Sequence, residues 1–142
     1  MSKPIINIYW FKRDLRIFDN VPLQLSCDDE HPTLLVFLFE PELVNNLHYS
    51  ERHWNFIKDS IVDINKNLKK YKTKIHCFDL NAIQFFKKIS NRYTINKIFS
   101  HQETGINITY KRDKDVSKYC KENDIWNKQL NNVSSLKSSL NK

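Results

Sequence analysis

Apolar residues form runs of two kinds along this chain, and the first kind predicts strands. The first run, Ile5–Phe11, has large apolar side chains at six of its seven positions. A run without clean alternation predicts a central strand of a parallel sheet that is covered on both faces. A second run at 33–39 predicts another buried strand. Shorter runs at 74–78 and 97–100, and one that begins at 125, predict three more.

The second kind of run follows the helical period and lies between the predicted strands. The longest helix is predicted to begin after Ser50, and its apolar residues recur every three or four positions. This stripe consists of Trp54, Ile57, Ile61, Ile64, Leu68 and Tyr71. Asn20 and Asn81 are candidate caps of shorter helices, and a further helix is predicted at about 110–123.

Strands and helices alternate throughout, which predicts an α/β fold. We expect a doubly wound, Rossmann-like sheet of five parallel strands in the order 3-2-1-4-5, with helices on both faces and the first strand in the middle. A length of 142 residues fits one domain. We assign residues 1–126 to that domain. Residues 127–142, where apolar residues are spread among Asn, Ser and Lys, are assigned to a tail or truncated linker.

Composition narrows the function further. The net charge of +7 comes from 23 basic and 16 acidic residues. This excess favours anionic partners such as nucleic acid or an anionic cofactor, but solvated lysines on helix faces are the stronger interpretation. Three cysteines without CxxC spacing predict neither a disulfide framework nor a zinc site. No apolar stretch is long enough to span a membrane. We therefore expect a cytoplasmic protein without a membrane partner.

Charged residues are concentrated directly after the first predicted strand, at Lys12, Arg13, Asp14 and Arg16. In open α/β sheets, ligands bind beyond the carboxyl ends of the strands. The sequence contains no GxGxxG, P-loop or GxSxG motif. No nucleophile–base pair is apparent either, so no catalytic residue and no metal ligand is predicted.

Residues 10–20 resemble the opening signature of the DNA photolyase/cryptochrome family. They read Trp-Phe-Lys-Arg-Asp-Leu-Arg-Ile-Phe-Asp-Asn, with Lys12 where the family usually has arginine. Lysine keeps the charge but loses the planar fork of donors. Three further stretches, at 37–42, 50–68 and 100–113, agree with the family in order and spacing. The resemblance covers about residues 5–126.

The resemblance implies that this chain is the N-terminal α/β domain of such a protein. In many family members this domain carries an antenna chromophore, which can be a reduced folate, a deazaflavin or FMN. FAD and the DNA-lesion pocket belong to a helical domain that these residues do not resemble. The family uses blue light to repair pyrimidine dimers, as a deoxyribodipyrimidine photo-lyase, or to signal. We expect this chain alone to bind an antenna at most and not to repair DNA.

The implied partner is a separately encoded FAD-binding photolyase domain, with damaged DNA bound only through it. Two alternatives stay open at this point. The chain could be a stand-alone α/β domain that binds a small ligand or a nucleotide, or it could be an inactive, truncated gene product.

The resemblance and the position of the strand ends give six candidate residues for antenna binding: Phe11, Lys12, Arg13, Arg52, Gln102 and Glu103. Lys12 and Arg13 would meet the acidic or phosphate end of the ligand. The amide and carboxylate of Gln102 and Glu103 could bind the N–H and C=O groups of a pterin or flavin ring.

Structural interpretations compete with these roles. Arg13, Asp14 and Arg16 could instead form an ion-pair cluster that fixes the turn after the first strand. Residues 102–103 could be an exposed polar loop, and Arg52 a solvated residue in the first turn of its helix. The tryptophans Trp10, Trp54 and Trp126 are interpreted as core packing rather than as a redox chain.

Overall fold

A computed structural model describes residues 3–12, 15–46, 49–101 and 107–130. Its helices and strands alternate as the sequence predicts, with one additional short helix, α2, after the second strand. In chain order they are β1 (Ile5–Phe11), α1 (Val21–Asp28), β2 (Thr33–Leu38), α2 (Pro41–Val44), α3 (Glu51–Leu68), a 3-10 turn (Lys69–Tyr71), β3 (His76–Phe78), α4 (Ala82–Ser90), β4 (Thr94–His101), α5 (Asn107–Glu122) and β5 (Trp126–Leu130).

The strands form one sheet in the order β3-β2-β1-β4-β5, and every neighbouring pair is parallel. This confirms the predicted fold class and strand order. β1 lies in the middle, between β2 and β4. The chain moves from β1 towards β3 on one side and returns to β4 on the other. The topological switch point therefore lies between β1 and β4.

Side chains of β1 are buried on both faces of the sheet, because successive residues of a strand point to opposite faces. Ile8 and Trp10 belong to a core cluster that α4 and α5 contribute to. Tyr9 and Phe11 belong to a second cluster on the opposite face, which α1 and α3 contribute to. All four side chains are at most 1% exposed. The prediction of a strand covered on both faces is confirmed.

The long helix α3 begins where its cap predicts, since the Ser50 hydroxyl accepts a hydrogen bond from the backbone N–H of His53 at 3.2 Å. Its apolar stripe is buried from Trp54 to Leu68. Tyr71 was wrongly assigned to that stripe and is 65% exposed. The reason is that α3 ends at Leu68 and a 3-10 turn follows, which rotates each residue further around the axis than an α-helix does.

Other predicted boundaries shift by a few residues. α4 keeps its predicted cap, where Asn81 and Gln84 form a capping box, and the helix ends at Ser90. β4 begins at Thr94, earlier than the apolar run at 97–100 predicts. A bulge explains the difference, because Ile6 pairs with Ile95 whereas Asn7 already pairs with Lys97. The extra residue places Ile95 and Ile98 in the same core cluster and hides the strand's alternation.

The last strand, β5, continues beyond the predicted domain boundary at residue 126 and pairs with β4 as far as Leu130. The interpretation of Trp126 as core packing is wrong, since its side chain is 45% exposed. It lies at the outer edge of the sheet, where its ring contacts Phe99 at a centroid distance of 5.5 Å. Residues 131–142, part of the predicted tail, lie outside the described residues. Of the helices that the structure describes, none combines the length and the apolar character needed to cross a bilayer.

A polar cluster around Asp29 joins the end of α1 to the two central strands. The carboxylate accepts hydrogen bonds from Lys97 Nζ at 2.6 Å, from Asn7 Nδ2 at 2.8 Å and from the backbone N–H of His31 at 3.2 Å. The bond from Lys97 is the largest cause, followed by that from Asn7, and together they lower the pKa of Asp29 from 3.8 to about 2.

We expect Asp29→Asn to lower the free energy of unfolding at pH 7 by roughly 1–2 kcal/mol. Because the folded-state pKa is depressed, the stabilisation is complete above the unfolded-state value and is lost as the pH falls through about 2. Urea unfolding of wild type and variant between pH 7 and pH 2 measures the effect. The difference in the free energy of unfolding between wild type and variant should become smaller below about pH 4. A constant difference, or the same loss in the control variant Asp28→Asn, would contradict this role.

Candidate functional site

Buried charges meet beyond the carboxyl ends of β1 and β2, at the edge of the sheet on which open α/β sheets bind their ligands. Lys12 follows β1 directly, and its Nζ lies 3.1 Å from Asp113 Oδ1 on α5. The two side chains are only 1% and 9% exposed. A lysine expected to face the ligand is therefore buried in an ion pair with a residue far along the chain.

Arg112 extends this pair into a network of two cations and two carboxylates. Its Nε donates to Asp113 Oδ1 at 3.1 Å, and its Nη1 donates to Glu40 Oε1 at 2.7 Å. The Trp10 ring lies next to both cations, with Lys12 Nζ at 4.5 Å and the Arg112 guanidinium carbon at 4.8 Å from its centroid. The ring faces of tryptophan attract cations, so Trp10 helps to hold both side chains in place.

The network leaves one acceptor unused among the described residues. Asp113 Oδ1 accepts from both cations, whereas its Oδ2 is buried and has no hydrogen-bond partner. Buried carboxylate oxygens are usually satisfied. The carboxylate of Asp113 is thus held in place through one of its oxygens only.

Two cavities adjoin the network and share Glu40, Leu43 and Arg112 in their walls. The smaller one, of about 30 Å³, lies between the strand ends and α3. Its other walls include aromatic and cationic side chains: Phe11, Lys12, Phe37, Tyr49, His53 and Trp54. The larger cavity, of about 360 Å³, lies beside the first turns of α4 and α5, with Ile83, Ile108 and Lys111 in its walls.

The volumes of the two cavities admit groups of different size. A cavity of about 30 Å³ takes a group the size of one water molecule. The larger cavity falls in the range of small-molecule sites, which starts at about 300 Å³. The aromatic side chains and Lys12 line the smaller cavity, whereas aliphatic and charged side chains such as Ile83, Ile108 and Lys111 line the larger one. Of these two cavities, only the larger has the volume of a small-molecule site.

The six predicted binding residues have different positions. Phe11 and Lys12 line the smaller cavity. Arg52 lies in the first turn of α3, exposed, and lines neither of these two cavities. Arg13, Gln102 and Glu103 lie outside the described residues, so their predicted roles stay predictions.

The predicted ion-pair cluster at the first turn also falls largely outside the described residues. Arg13 and Asp14 belong to the part of the chain that the structure does not describe, and Arg16 is exposed. What the structure describes instead is the pairing of Lys12 with Asp113.

Sequence reasoning missed three members of the charge network: Glu40, Arg112 and Asp113. All three lay in stretches that resemble the family, at 37–42 and 110–113. No pattern marked them as buried, because charged residues on a helix usually face solvent. The available signal was that Arg112 and Asp113 follow a strand end by only a short loop and one or two helical turns.

A second polar network lies at the switch point between β1 and β4, and its centre is Asn20. The Asn20 amide oxygen caps α1 by accepting from Leu23 N at 3.1 Å, and lies 2.9 Å from His101 Nε2. Its Nδ2 donates to Tyr9 Oη at 2.8 Å and to the Arg16 carbonyl at 2.9 Å. One side chain thus connects β1, the loop after it, α1 and the end of β4.

No metal cluster accompanies these networks in the part of the chain that the structure describes. No three His, Cys, Asp or Glu side chains there are grouped to hold a metal ion. Burial raises the pKa of the Cys120 thiol to about 11, so it remains protonated at neutral pH.

The fold and this site define an α/β domain with a doubly wound parallel sheet and two adjoining cavities at its carboxyl edge. A sequence profile described as DNA photolyase matches residues 7–136, and the chain belongs to that family. Its α/β fold corresponds to the N-terminal domain of the family's members.

Individual relatives agree with this membership. The chain is 32% identical over 133 residues to a deoxyribodipyrimidine photo-lyase of Buchnera aphidicola subsp. Baizongia pistaciae, a match that covers 84% of the chain and 26% of that protein. It is 26% identical over 110 residues to a photo-lyase of the subspecies Acyrthosiphon pisum, with 74% and 23% covered. The chain thus spans about a quarter of the length of these relatives.

Solved structures show the same fold. An archaeal photolyase from Sulfolobus tokodaii, described with two FAD molecules and the implication of a novel light-harvesting cofactor, superposes with a TM-score of 0.76 at 27% identity. That match covers 88% of this chain and 29% of the photolyase. A cryptochrome from Synechocystis sp. PCC6803 superposes with a TM-score of 0.81 at 19% identity, covering 91% and 28%.

Proposed function

We propose that this domain binds a light-harvesting antenna chromophore at the carboxyl edge of its sheet. The observation that carries the proposal is the aromatic-walled cavity beside the buried cations Lys12 and Arg112, with a larger cavity adjoining it. Such a crevice, apolar with a few polar groups aimed at one place, is the usual form of a small-molecule site. Membership in the DNA photolyase family supports the same conclusion.

Six residues are proposed to contribute to binding. Phe11 provides an apolar wall. Arg13, together with Lys12 in the wall of the smaller cavity, is proposed to meet the acidic or phosphate end of the chromophore, while Lys12 stays paired with Asp113. Gln102 and Glu103 are proposed to bind the edge of its ring. Arg52 is proposed to lie near the ligand's charged end from the first turn of α3.

The candidate chromophores are a reduced folate, a deazaflavin and FMN. The Sulfolobus tokodaii photolyase, described with two FAD molecules and the implication of a novel light-harvesting cofactor, supports a flavin-like ring. The bound antenna would absorb blue light and transfer the excitation to FAD held by a helical partner domain. Repair of DNA would take place in that partner, and the 142 residues alone are not expected to repair dimers.

Titration of the purified 142-residue chain with FMN, a 5-deazaflavin and a reduced folate, followed by fluorescence, tests the proposal. We expect one of them to bind with a Kd that is micromolar or weaker, since no partner domain covers the crevice. Glu103→Ala and Arg13→Ala should each weaken that binding roughly tenfold, because a charged hydrogen bond contributes about 1.5 kcal/mol or more.

Two exposed residues at the opposite edge of the sheet serve as matched controls. Arg92→Ala removes a cation just before β4, and Glu122→Ala removes a carboxylate at the end of α5. Neither should change the affinity. Unchanged binding in both site variants would refute the site. No binding of any of the three chromophores by wild type would refute the function and favour one of the two alternatives: a domain for another small ligand or nucleotide, or an inactive, truncated gene product.

A further inference from the structure

Trp54 presents a buried donor that the described residues leave unused. The residue lies in the first turn of α3 and is 9% exposed. Its indole Nε1 is buried and has no hydrogen-bond partner in the part of the chain that the structure describes. Indole nitrogen is a donor only, and donors buried in a protein are nearly always satisfied. The unused N–H is therefore available to an acceptor outside the described residues, such as a water molecule or a ligand atom.

The surroundings of Trp54 consist mainly of other rings. Its ring centroid lies 5.9 Å from that of Phe39, 5.4 Å from that of Tyr49 and 5.0 Å from that of His53. These contacts fix the orientation of the indole but provide no acceptor that the structure records for its N–H. The side chain is thus held rigidly, with its polar atom unsatisfied.

Trp54 also lines the smaller cavity, which adjoins the charge network. Lys12 and Arg112 contribute to the same walls. A group that enters this cavity meets the Trp54 side chain and the charge network, because Glu40 lines the cavity together with Lys12 and Arg112. Glu40 is already paired with Arg112, whereas a carbonyl oxygen can accept from an N–H donor in the wall. The volume of about 30 Å³ admits one such group but not a ring.

We propose that the Trp54 indole N–H donates a hydrogen bond to a ring carbonyl of the antenna chromophore. The carbonyl group inserts into the smaller cavity, and the ring that carries it lies outside. This inference rests on the function proposed above and makes Trp54 a specificity-determining residue of that site. Flavin, deazaflavin and pterin rings share a conjugated ring carbonyl. A molecule of the same size without a carbonyl at that edge leaves the indole N–H unsatisfied and binds more weakly.

The test compares wild type with Trp54→Phe, which removes the N–H but keeps an aromatic side chain. Each 142-residue protein is titrated with FMN, a 5-deazaflavin and a reduced folate. For the chromophore that binds wild type, the variant should bind roughly three- to tenfold more weakly, the equivalent of one neutral hydrogen bond. Trp126→Phe is the matched control, because Trp126 lies at the start of β5 and lines neither cavity. Its affinity should equal that of wild type.

A second readout uses wild type alone and so does not depend on how well the variant folds. The chain has three tryptophans, whose indole N–H signals are resolved by ¹H–¹⁵N NMR. Binding should move the Trp54 signal downfield, as a new hydrogen bond to the indole proton requires.

The outcomes separate this inference from the function on which it rests. If a chromophore binds wild type, but Trp54→Phe binds it equally well and the Trp54 signal stays in place, the inference is wrong and the proposed function stands. That result would indicate a bound water as the partner of the indole N–H. If none of the three chromophores binds wild type, both are wrong.

Discussion

Replacing Asp113 with alanine is expected to lower the free energy of unfolding by about 3–5 kcal/mol. The substitution removes the carboxylate that accepts from both Lys12 Nζ and Arg112 Nε. The Lys12 side chain is only 1% exposed, so its ammonium group cannot reach water without disturbing the end of β1. Removing one member of a buried ion pair strands its partner's charge, and that cost exceeds the modest net stabilisation of the pair itself.

Denaturant unfolding of the single variants Lys12→Met and Asp113→Ala and of the double variant Lys12→Met/Asp113→Leu measures this effect. Because the double variant buries no unpaired lysine, it should recover most of the loss. The control is Asp115→Ala, which removes an exposed carboxylate from the same helix and should change the stability by about 0.5 kcal/mol or less. A double variant as unstable as Asp113→Ala would show that the pairing with Lys12 is not the cause.

Replacing Asn20 with alanine should cost about 2–4 kcal/mol, more than an ordinary helix cap. Loss of the cap on Leu23 N costs about 1 kcal/mol. The same substitution removes a hydrogen-bond partner from Tyr9 Oη and from His101 Nε2, both in buried bonds. Each buried polar group that loses a partner adds up to a few kcal/mol. The substitution therefore removes hydrogen bonds at the switch point, where β1 and β4 meet.

The other capping asparagine offers a direct comparison for this expectation. Asn81 caps α4 through Gln84 N at 2.9 Å, in exposed bonds, so Asn81→Ala should cost only about 1 kcal/mol. Asn20→Asp keeps the capping oxygen but not the amide donor, and should fall between wild type and Asn20→Ala. Thermal and urea unfolding give the three values. Equal losses at the two caps would mean that the bonds to Tyr9 and His101 contribute nothing measurable.

Much of the fold follows from the sequence because its signals are local. Burial on both faces of a strand appears as an unbroken apolar run, as in Ile5–Phe11, and a helix that covers one face appears as a stripe with a period near 3.6 residues. Asn20, Ser50 and Asn81 cap helices through backbone groups three residues away. Alternation of these elements restricts the topology to few arrangements, since parallel crossovers are right-handed.

The errors have local causes of a different kind. Tyr71 continues the period of the stripe but follows a change of helix type at Lys69–Tyr71. The bulge at Asn96 shifts the alternation within β4. Only the later half of this strand therefore has a sequence pattern that predicts a strand. Trp126 is large and apolar but lies on an edge strand, where one side has no neighbouring strand. In each case the side chain's environment depends on geometry that residue type does not encode.

The sequence by itself determined the fold class, the strand order, the main helix caps and the family, because each depends on residue types at short, regular spacings. Only the tertiary structure decided how the site is built. It places Lys12 next to Asp113, which is 101 positions away in the sequence, and pairs Arg112 with Glu40. It also buries the Trp54 N–H where the described residues provide no acceptor. Pairings of this kind are fixed by the register of the strands and by the depth of each side chain. The identity of a residue such as Lys12 does not reveal whether its side chain is exposed to water or buried in an ion pair with an aspartate.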